Sequence, residues 1–483
     1  MKTYIGADLG TSSIKLSLVD DKGIILNEVS KDYPLFQKGL YSEQNPLDWW
    51  EQFNLALDEL LEKQDKQLLQ AISFSGQMHG LVMLDKEDKI IRPCILWNDG
   101  RSEKETKYLN EEIGRDVLSE LTGNIAYAGF TAPKLLWVKN NEPENFKNIA
   151  KIMLPKDYLV YRLTGICACD YSDASGTLYL DVKNKIWSEK MLQILGFSKD
   201  KLPKLVESND VVGLVNEKFA KLHNIPRIKV VMGAGDNAAS AVGMGVIRDG
   251  EINISLGTSG TIFIPTDEFL LPKENGLHSF ANTTGKYHLM GCILTAASAR
   301  KWWLENILDS KDYSGSDKES ENTNTDQLYF LPYLSGERSP HNDVNARGAF
   351  IGLTHSTTRA ALSKAIMEGV AFALRDCLEI AKEGGREFKK ATICGGGSNS
   401  NVWVQIMSDI LNLPIYKGSG SGSYGAALLA MSGAEKKSLE EVCNNAVKYG
   451  KVFKPDAKVV KYYNNKYKVF RKLYPALKNI FIH

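Results

Sequence analysis

Two carboxylates stand at sharp backbone turns, each among residues suited to a phosphate or a polyol. Asp8 ends the run Tyr4-Ile-Gly-Ala-Asp and is followed by Gly10, Thr11, Ser12 and Lys15. A carboxylate at a strand end, N–H groups freed by glycine, two hydroxyls and a lysine suit a phosphate and its metal. Asp236 follows Ile228-Lys-Val-Val-Met-Gly-Ala-Gly, where a β-rich run turns into a helix of small residues starting at Asp236-Asn237. Such turns face the cleft of an α/β sheet, which makes Asp236 a candidate functional carboxylate. An N-cap aspartate would look the same in sequence. Gly233-x-Gly235-x-x-Ala238 also matches a dinucleotide fingerprint with Asp249 or Glu251 as its ribose acid. An acid inside the glycine turn would repel a pyrophosphate, and this disfavours that alternative.

Two polar loops follow strands nearby. In Ser75-Gly-Gln-Met-His-Gly80, Gln77 and His79 can hydrogen-bond a polyol while Met78 packs on its carbon face; a lone loop histidine is also often structural. Leu96-Trp-Asn-Asp-Gly-Arg101 offers Trp97 and Asp99, or simply a turn with a buried tryptophan. No GxxxxGK[ST] run and no protein-kinase motif set occurs. Any ATP phosphates therefore fall to the hairpin tips. Gly395-Gly-Gly-Ser-Asn-Ser-Asn401 ends a strand and opens a helix, where backbone without side chains approaches a base or phosphate closely.

The elements that must position these residues repeat. Ile14, Leu16 and Leu18 alternate with polar residues after the first turn, Gly23–Val29 reads as a third strand, and Asn45-Pro46 opens a helix bearing Trp49, Phe53, Ala56, Leu57, Leu60 and Leu61. A strand over Leu68–Ser75 completes a β-β-β-α-β order. Ile252-Asn-Ile-Ser-Leu-Gly-Thr-Ser-Gly-Thr-Ile-Phe263 echoes the first hairpin. Strands over 251–256, 261–265 and 287–294, helices over 295–308 and 357–383, a strand over 390–394, a helix to 411 and a strand over 414–417 follow. A single Gly-Thr-Ser is an ordinary turn; two such hairpins predict a duplicated α/β fold gripping one nucleotide. The stretch 309–327 reads as a polar surface excursion.

A chain of 483 residues exceeds what one core supports. The formal charge of +1 and the absence of basic tracts argue against nucleic-acid and membrane partners. The chain enters a strand at once and has no long apolar run, so a cytoplasmic location is expected. Seven cysteines without a CxxC pair read as reduced thiols. A homodimer is the default oligomer.

In this order the chain resembles the FGGY carbohydrate kinases over nearly its whole length. The resemblance is carried by Asp8-Leu-Gly-Thr-Ser, the Ser75–Gly80 and Ile95–Arg101 loops, Gly129-Phe-Thr-Ala-Pro-Lys-Leu-Leu-Trp-Val138, Leu154-Pro-Lys-Asp-Tyr158, Gly235-Asp-Asn-Ala-Ala239, Ser255-Leu-Gly-Thr-Ser259, Phe330-Leu-Pro-Tyr-Leu-Ser-Gly-Glu-Arg338 and Gly395-Gly-Gly. It implies two ribonuclease-H-like domains of the actin/hexokinase ATPase type, 1–243 and 244–483, with the active site between them, a small sugar as substrate, and ATP and Mg²⁺. By resemblance Asp236 is the base, and Asp8 with Asp236 holds Mg²⁺ through water. Met78, His79 and Asn237, with Gln77, Trp97 and Asp99, bind the sugar. Thr11, Ser12, Lys15, Gly257 and Thr258 contact phosphates, while Gly396, Gly397 and Asn399 border the adenosine. A non-enzymatic, actin-like binder would share the fold but has no need of Asp8 and Asp236. One departure touches the nucleotide side: members often carry an acid before the last Gly-Ala-Ala helix, whereas Lys417-Gly-Ser-Gly-Ser-Gly-Ser-Tyr-Gly-Ala-Ala427 has none.

Overall fold

In the computed structural model, which describes residues 1–383, 385–418 and 420–481, the alternating apolar residues of the N-terminus build a hairpin. β1 (Thr3–Leu9) and β2 (Ser13–Asp20) pair antiparallel, with Asp8 opposite Lys15. β3 (Ile25–Asp32) joins β2 and begins later than Gly23. Gly23 instead takes a left-handed φ of 81° in a turn whose Lys22 and Ile24 N–H groups donate to the Asp20 carboxylate. Helix α1 (Pro46–Leu61) starts where the Asn45 side chain accepts the Leu47 N–H, and its apolar stripe from Trp49 to Leu61 is buried under the sheet. It crosses to β4 (Leu69–Gly76), parallel to β1. β5 (Val211–Leu214) and β6 (Lys229–Val231) complete the order β5-β6-β4-β1-β2-β3. The short β7 (Ala234–Gly235) pairs with the end of β4 and runs into α2 (Asp236–Gly243).

The second sheet contains β8 (Glu251–Leu256), β9 (Gly260–Thr266), β10 (His278–Ala281), β11 (Tyr287–Ile293), β12 (Lys390–Cys394), β13 (Ile415–Gly418) and β14 (Tyr449–Phe453). Its order is β10-β11-β9-β8-β12-β13-β14. β8 pairs antiparallel with β9 and parallel with β12, as β1 does with β2 and β4. The duplication read from the two Leu-Gly-Thr-Ser turns is thus a duplication of whole sheets, with β10 as an addition to the second.

The helices depart from expectation in two places. The polar excursion carries α3 (Tyr313–Glu321), N-capped by Asp312, beside the long α4 (Arg359–Ala381). The helix expected over 295–308 begins at Ala297 and widens into a π turn from Trp302. α5 (Asn401–Leu411), α6 (Gly422–Glu435) and α7 (Ala457–Leu477) follow. α6 covers the first sheet although it belongs to the second half of the chain: Ser423 Oγ lies 2.8 Å from Ser17 Oγ, and a Cβ on Gly6 would meet Ser423 O at 1.9 Å. Tyr4, Val19, Ala71 and Val231 share one core with Ala427, Leu428 and Met431. All seven cysteines are unpaired. Among the described residues no helix is long and apolar enough to cross a membrane.

Candidate active site

Pairing of β7 with the tip of β4, Ala234 beside Ser75 and Gly235 beside Gly76, brings the turn before α2 next to the end of β1. Asp236 is the first residue of α2 and is partly exposed. Its Oδ1 accepts the Asn237 backbone N–H at 2.7 Å and the Asn237 side-chain amide at 2.8 Å. Oδ2 has no hydrogen-bond partner among the described residues. Burial and then the charge of Asp8 push the Asp236 pKa up to about 7, against the Asn237 donors.

Asp8 Oδ1 accepts the Ser75 hydroxyl at 2.6 Å. Burial raises its pKa, opposed by that hydrogen bond and by the Lys15 charge. A Cβ on Gly422, at the start of α6, would lie 2.7 Å from Asp8 Cγ, so glycine is required there. The loop lacking an acid therefore abuts Asp8; Ser419 within it lies outside the described residues. Among the described residues one Asp8 carboxylate oxygen has no donor, and no group of three or more His, Cys, Asp or Glu is arranged to hold a metal. A single carboxylate completed by phosphate oxygens and water is a donor set that fits Mg²⁺.

The tip that follows Asp8 is braced from afar. Tyr33 Oη donates to Gly10 O and, at 3.0 Å, to Ser13 O; Gln44 Nε2 donates to Thr11 O at 2.7 Å and Trp97 Nε1 to Thr11 Oγ1 at 2.9 Å. Trp97 thus directs its N–H to the tip while its side chain stays partly exposed. Lys15 forms an ion pair with Glu28 at 2.9 Å, and its ammonium is shared with that carboxylate.

In the loop after β4, Met78 packs against the turn that carries Asp236, its Cγ and Sδ 3.0 and 3.1 Å from where a Gly235 Cβ would be. His79 takes a φ of 69°, stacks on Phe130 at 4.7 Å, and lies with Nδ1 2.8 Å from Gly176 O. Burial, then the Lys134 charge, holds its pKa down to about 3, so the ring is neutral, Nδ1–H donates and Nε2 accepts. Asn237 Oδ1 accepts the Thr261 hydroxyl at 3.4 Å, tying β9 to the turn that carries Asp236. Gln77 is buried; its amide donates to Gln44 Oε1 at 3.0 Å while its Oε1 has no partner.

Asp99 corrects the sequence reading. Its carboxylate is buried against Arg101, with contacts of 2.8 and 2.6 Å, and accepts the Ser42 N–H at 2.6 Å. A guanidinium two residues on closes that loop on itself, so Asp99 has no oxygen to offer a sugar.

Of the residues expected to meet a nucleotide, Gly257, Thr258, Gly396, Gly397 and Asn399 line one cavity of about 890 Å³, and Thr11, Ser12 and Lys15 lie outside its lining. Arg300 and Asp317 add a charged wall that sequence reading missed; they pair at 2.6 Å, and Ser400 Oγ donates to Asp317 at 2.8 Å. Asp317 comes from α3, in the stretch read as a surface excursion. Tyr33, Gln44, Thr261 and Gly422 were also missed, since only tertiary contact gives them a role.

Two like sheets, each ending in a phosphate-type hairpin, with a pair of carboxylates at one tip and a nucleoside-sized cavity at the other, define an ATPase fold of the actin/hexokinase class. The chain belongs to the FGGY family of carbohydrate kinases: the family's N-terminal domain matches residues 3–243 and its C-terminal domain residues 252–434. It is an ATP-using enzyme of that family. Among curated proteins it is 38% identical to the xylulose kinase of Escherichia coli K12, over 98% of this chain and 99% of that one, and 38% identical to the xylulose kinase of Bacillus subtilis 168, over 99% and 98%. A solved xyloylose kinase from Brucella ovis superposes with a TM-score of 0.94 at 37% identity, covering 99% of this chain and 100% of that one.

Proposed function

We propose that the enzyme transfers the γ-phosphoryl group of ATP to the 5-hydroxyl of D-xylulose, giving D-xylulose 5-phosphate and ADP, in the cytoplasm. The observation that carries this reading is Asp236, one oxygen held by both donors of Asn237 and the other without a partner, beside Met78 and the Asp8–Ser75 pair. The sugar's O5 attacks the γ-phosphorus as its proton passes to Asp236 Oδ2. The bond from phosphorus to the bridging oxygen breaks, and ADP leaves with that electron pair. Little covalent chemistry is asked of the protein beyond in-line positioning and charge stabilisation. A base whose pKa lies near 7 suits operation at neutral pH.

Asp8 would hold Mg²⁺ through water; when bound, that ion neutralises phosphate oxygens. Thr11, Ser12 and Thr258 offer hydroxyls to the phosphates, Gly257 an unobstructed backbone, and Gly396, Gly397 and Asn399 a border for the adenosine. Met78, His79 and Asn237 hold the sugar, with neutral His79 presenting Nε2 as an acceptor for a hydroxyl. ADP release coupled to a reporter, measured with xylulose, ribulose, xylitol, glycerol and gluconate, tests the assignment. The highest kcat/KM is expected with xylulose. A higher value with another compound would reassign the substrate, and no sugar-dependent ADP from any would overturn the reading.

A further inference from the structure

Arg338 belongs to the motif Gly336-Glu-Arg338, which no step above uses. Its guanidinium lies over the Tyr127 ring, 5.4 Å from the centroid, and Nη2 is 3.9 Å from where a Gly129 Cβ would stand. Tyr127 packs on Phe130 at 5.2 Å, and Phe130 stacks on His79 at 4.7 Å. The arginine therefore reaches from the second half of the chain into the aromatic group that orients the sugar-side histidine. Its backbone is fixed by neighbours on β11: Ser339 N–H donates to Cys292 O at 2.9 Å, and Glu337 Oε1 accepts the N–H groups of Leu294 and Arg338, each at 2.8 Å. Cys292 pairs across the sheet with Thr261, the residue bonded to Asn237. The Arg338 segment is thus linked through Cys292 and Thr261 to Asn237, the residue after Asp236.

The guanidinium has no ion pair and no side-chain hydrogen bond among the described residues. Its neighbour Glu337 makes no ion pair with it: that carboxyl is turned toward backbone N–H groups, and burial pushes its pKa up to about 8 against those N–H donors and the Arg338 charge. A half-buried planar cation with unengaged donors is costly unless a ligand supplies acceptors.

The chemistry of the proposed substrate supplies one. A 2-ketopentose closes a five-membered ring only through its 5-hydroxyl, so a molecule with O5 free for phosphorylation has a free carbonyl at C2. With O5 at Asp236, the chain extends past Met78 toward His79. We infer that Arg338 donates to the C2 carbonyl end of the open-chain ketose and is the residue that distinguishes a 2-ketose from its polyol. This rests on the xylulose reading above and deepens it.

The test measures dissociation constants for xylulose and for xylitol, without ATP, by calorimetry on the full chain and on Arg338→Met and Arg338→Lys, with steady-state kinetics and melting temperature alongside. Loss of a charge-assisted hydrogen bond is expected to weaken xylulose binding about 30-fold or more in Arg338→Met while xylitol changes about threefold or less. The loss should appear in KM with kcat little altered, since the contact is made in ground and transition states alike. Arg338→Lys, which keeps the charge and loses the planar fork, should fall between and secures the test if the methionine variant does not fold. Equal weakening for both sugars would overturn the inference by showing a packing role on Tyr127. Failure of the wild-type enzyme to phosphorylate xylulose would instead overturn the substrate reading, before any variant is compared.

Discussion

Asp8 and Ser255 occupy the same place in the two sheets, each one residue before a Leu-Gly-Thr-Ser tip turns the chain. Asp8 faces Ser75 on its parallel neighbour and Lys15 on its antiparallel one; Ser255 faces Cys394 and Thr261. The first tip has backbone bonds, Gly10 N–H to Ser13 O at 3.0 Å and Tyr33 N–H to Ser12 O at 3.2 Å, and is held further by the side chains of Tyr33, Gln44 and Trp97. The second is held mainly by backbone, with Ala296 N–H donating to Thr258 O at 2.9 Å and Ala297 N–H to Gly257 O at 2.8 Å. One frame therefore carries two chemistries. The tip with the carboxylate is made rigid where a charge must be aimed, and the uncharged tip opens on the 890 Å³ cavity. On the proposed function, a second carboxylate at position 255 would repel the phosphates that the first tip would hold with Mg²⁺.

The sharpest way to break this comparison is to remove the proposed base. Asp236→Asn keeps both Asn237 donors in reach but removes the proton acceptor. Turnover is expected to fall by about 10³–10⁴ with sugar affinity within about threefold, by single-turnover kinetics and calorimetry. Next, Asp8→Asn is expected to lower kcat by about 10²–10³ while Ser255→Ala, at the same place in the other sheet, stays within about threefold. Comparable losses at both positions would show the tips to be equivalent. Gly422→Ala sharpens the same contrast: a methyl 2.7 Å from Asp8 Cγ must shift the carboxylate, and a fall of about 10²-fold is expected. Gly396→Ala projects into open space and should alter only the KM for ATP.

The pH dependence separates the two carboxylates further. A base raised to about 7 is protonated below that pH, so kcat/KM for the sugar should fall as pH drops through 7, tenfold per unit at the limit. The Asp8 charge is the second cause of that rise, so Asp8→Asn should move the acid limb downward. An unmoved limb would mean that burial alone sets it.

Much of the fold was legible because its signals are local. The hairpins announce themselves through glycine and alternation, α1 through its Asn45-Pro46 start, and Asp236 through a glycine turn feeding a helix of small residues. The Asp99 loop misled because it also follows a strand and is polar; the arginine that consumes its charge was in view, but side-chain direction was not. Gln44 and Tyr33 lie more than twenty residues from the tip they brace, with nothing local to mark them. α6 shows the limit most clearly. Its run of small residues is visible, yet that it covers the first sheet rather than the second depends on how the halves meet, which no periodicity encodes.

The smallest expected effect concerns how each tip is braced. Trp97→Phe removes one N–H bond to Thr11 Oγ1 from a ring that is 39% exposed, leaving Gln44 and Tyr33 to hold the tip's carbonyls. A neutral hydrogen bond at a partly exposed site contributes about 0.5–1.5 kcal/mol. The freed Thr11 hydroxyl can rotate away from a phosphate, so the KM for ATP should rise about threefold with kcat within about twofold. Ser298→Ala, which removes a 2.7 Å bond to Thr258 O, should do less, because Ala296 N–H still donates to the same oxygen. Side-chain bracing is specific and each member counts; backbone bracing is redundant. If Ser298→Ala raised the KM for ATP more than Trp97→Phe, the uncharged tip would be the one held by its side chains, and the division of labour between the two hairpins would be reversed.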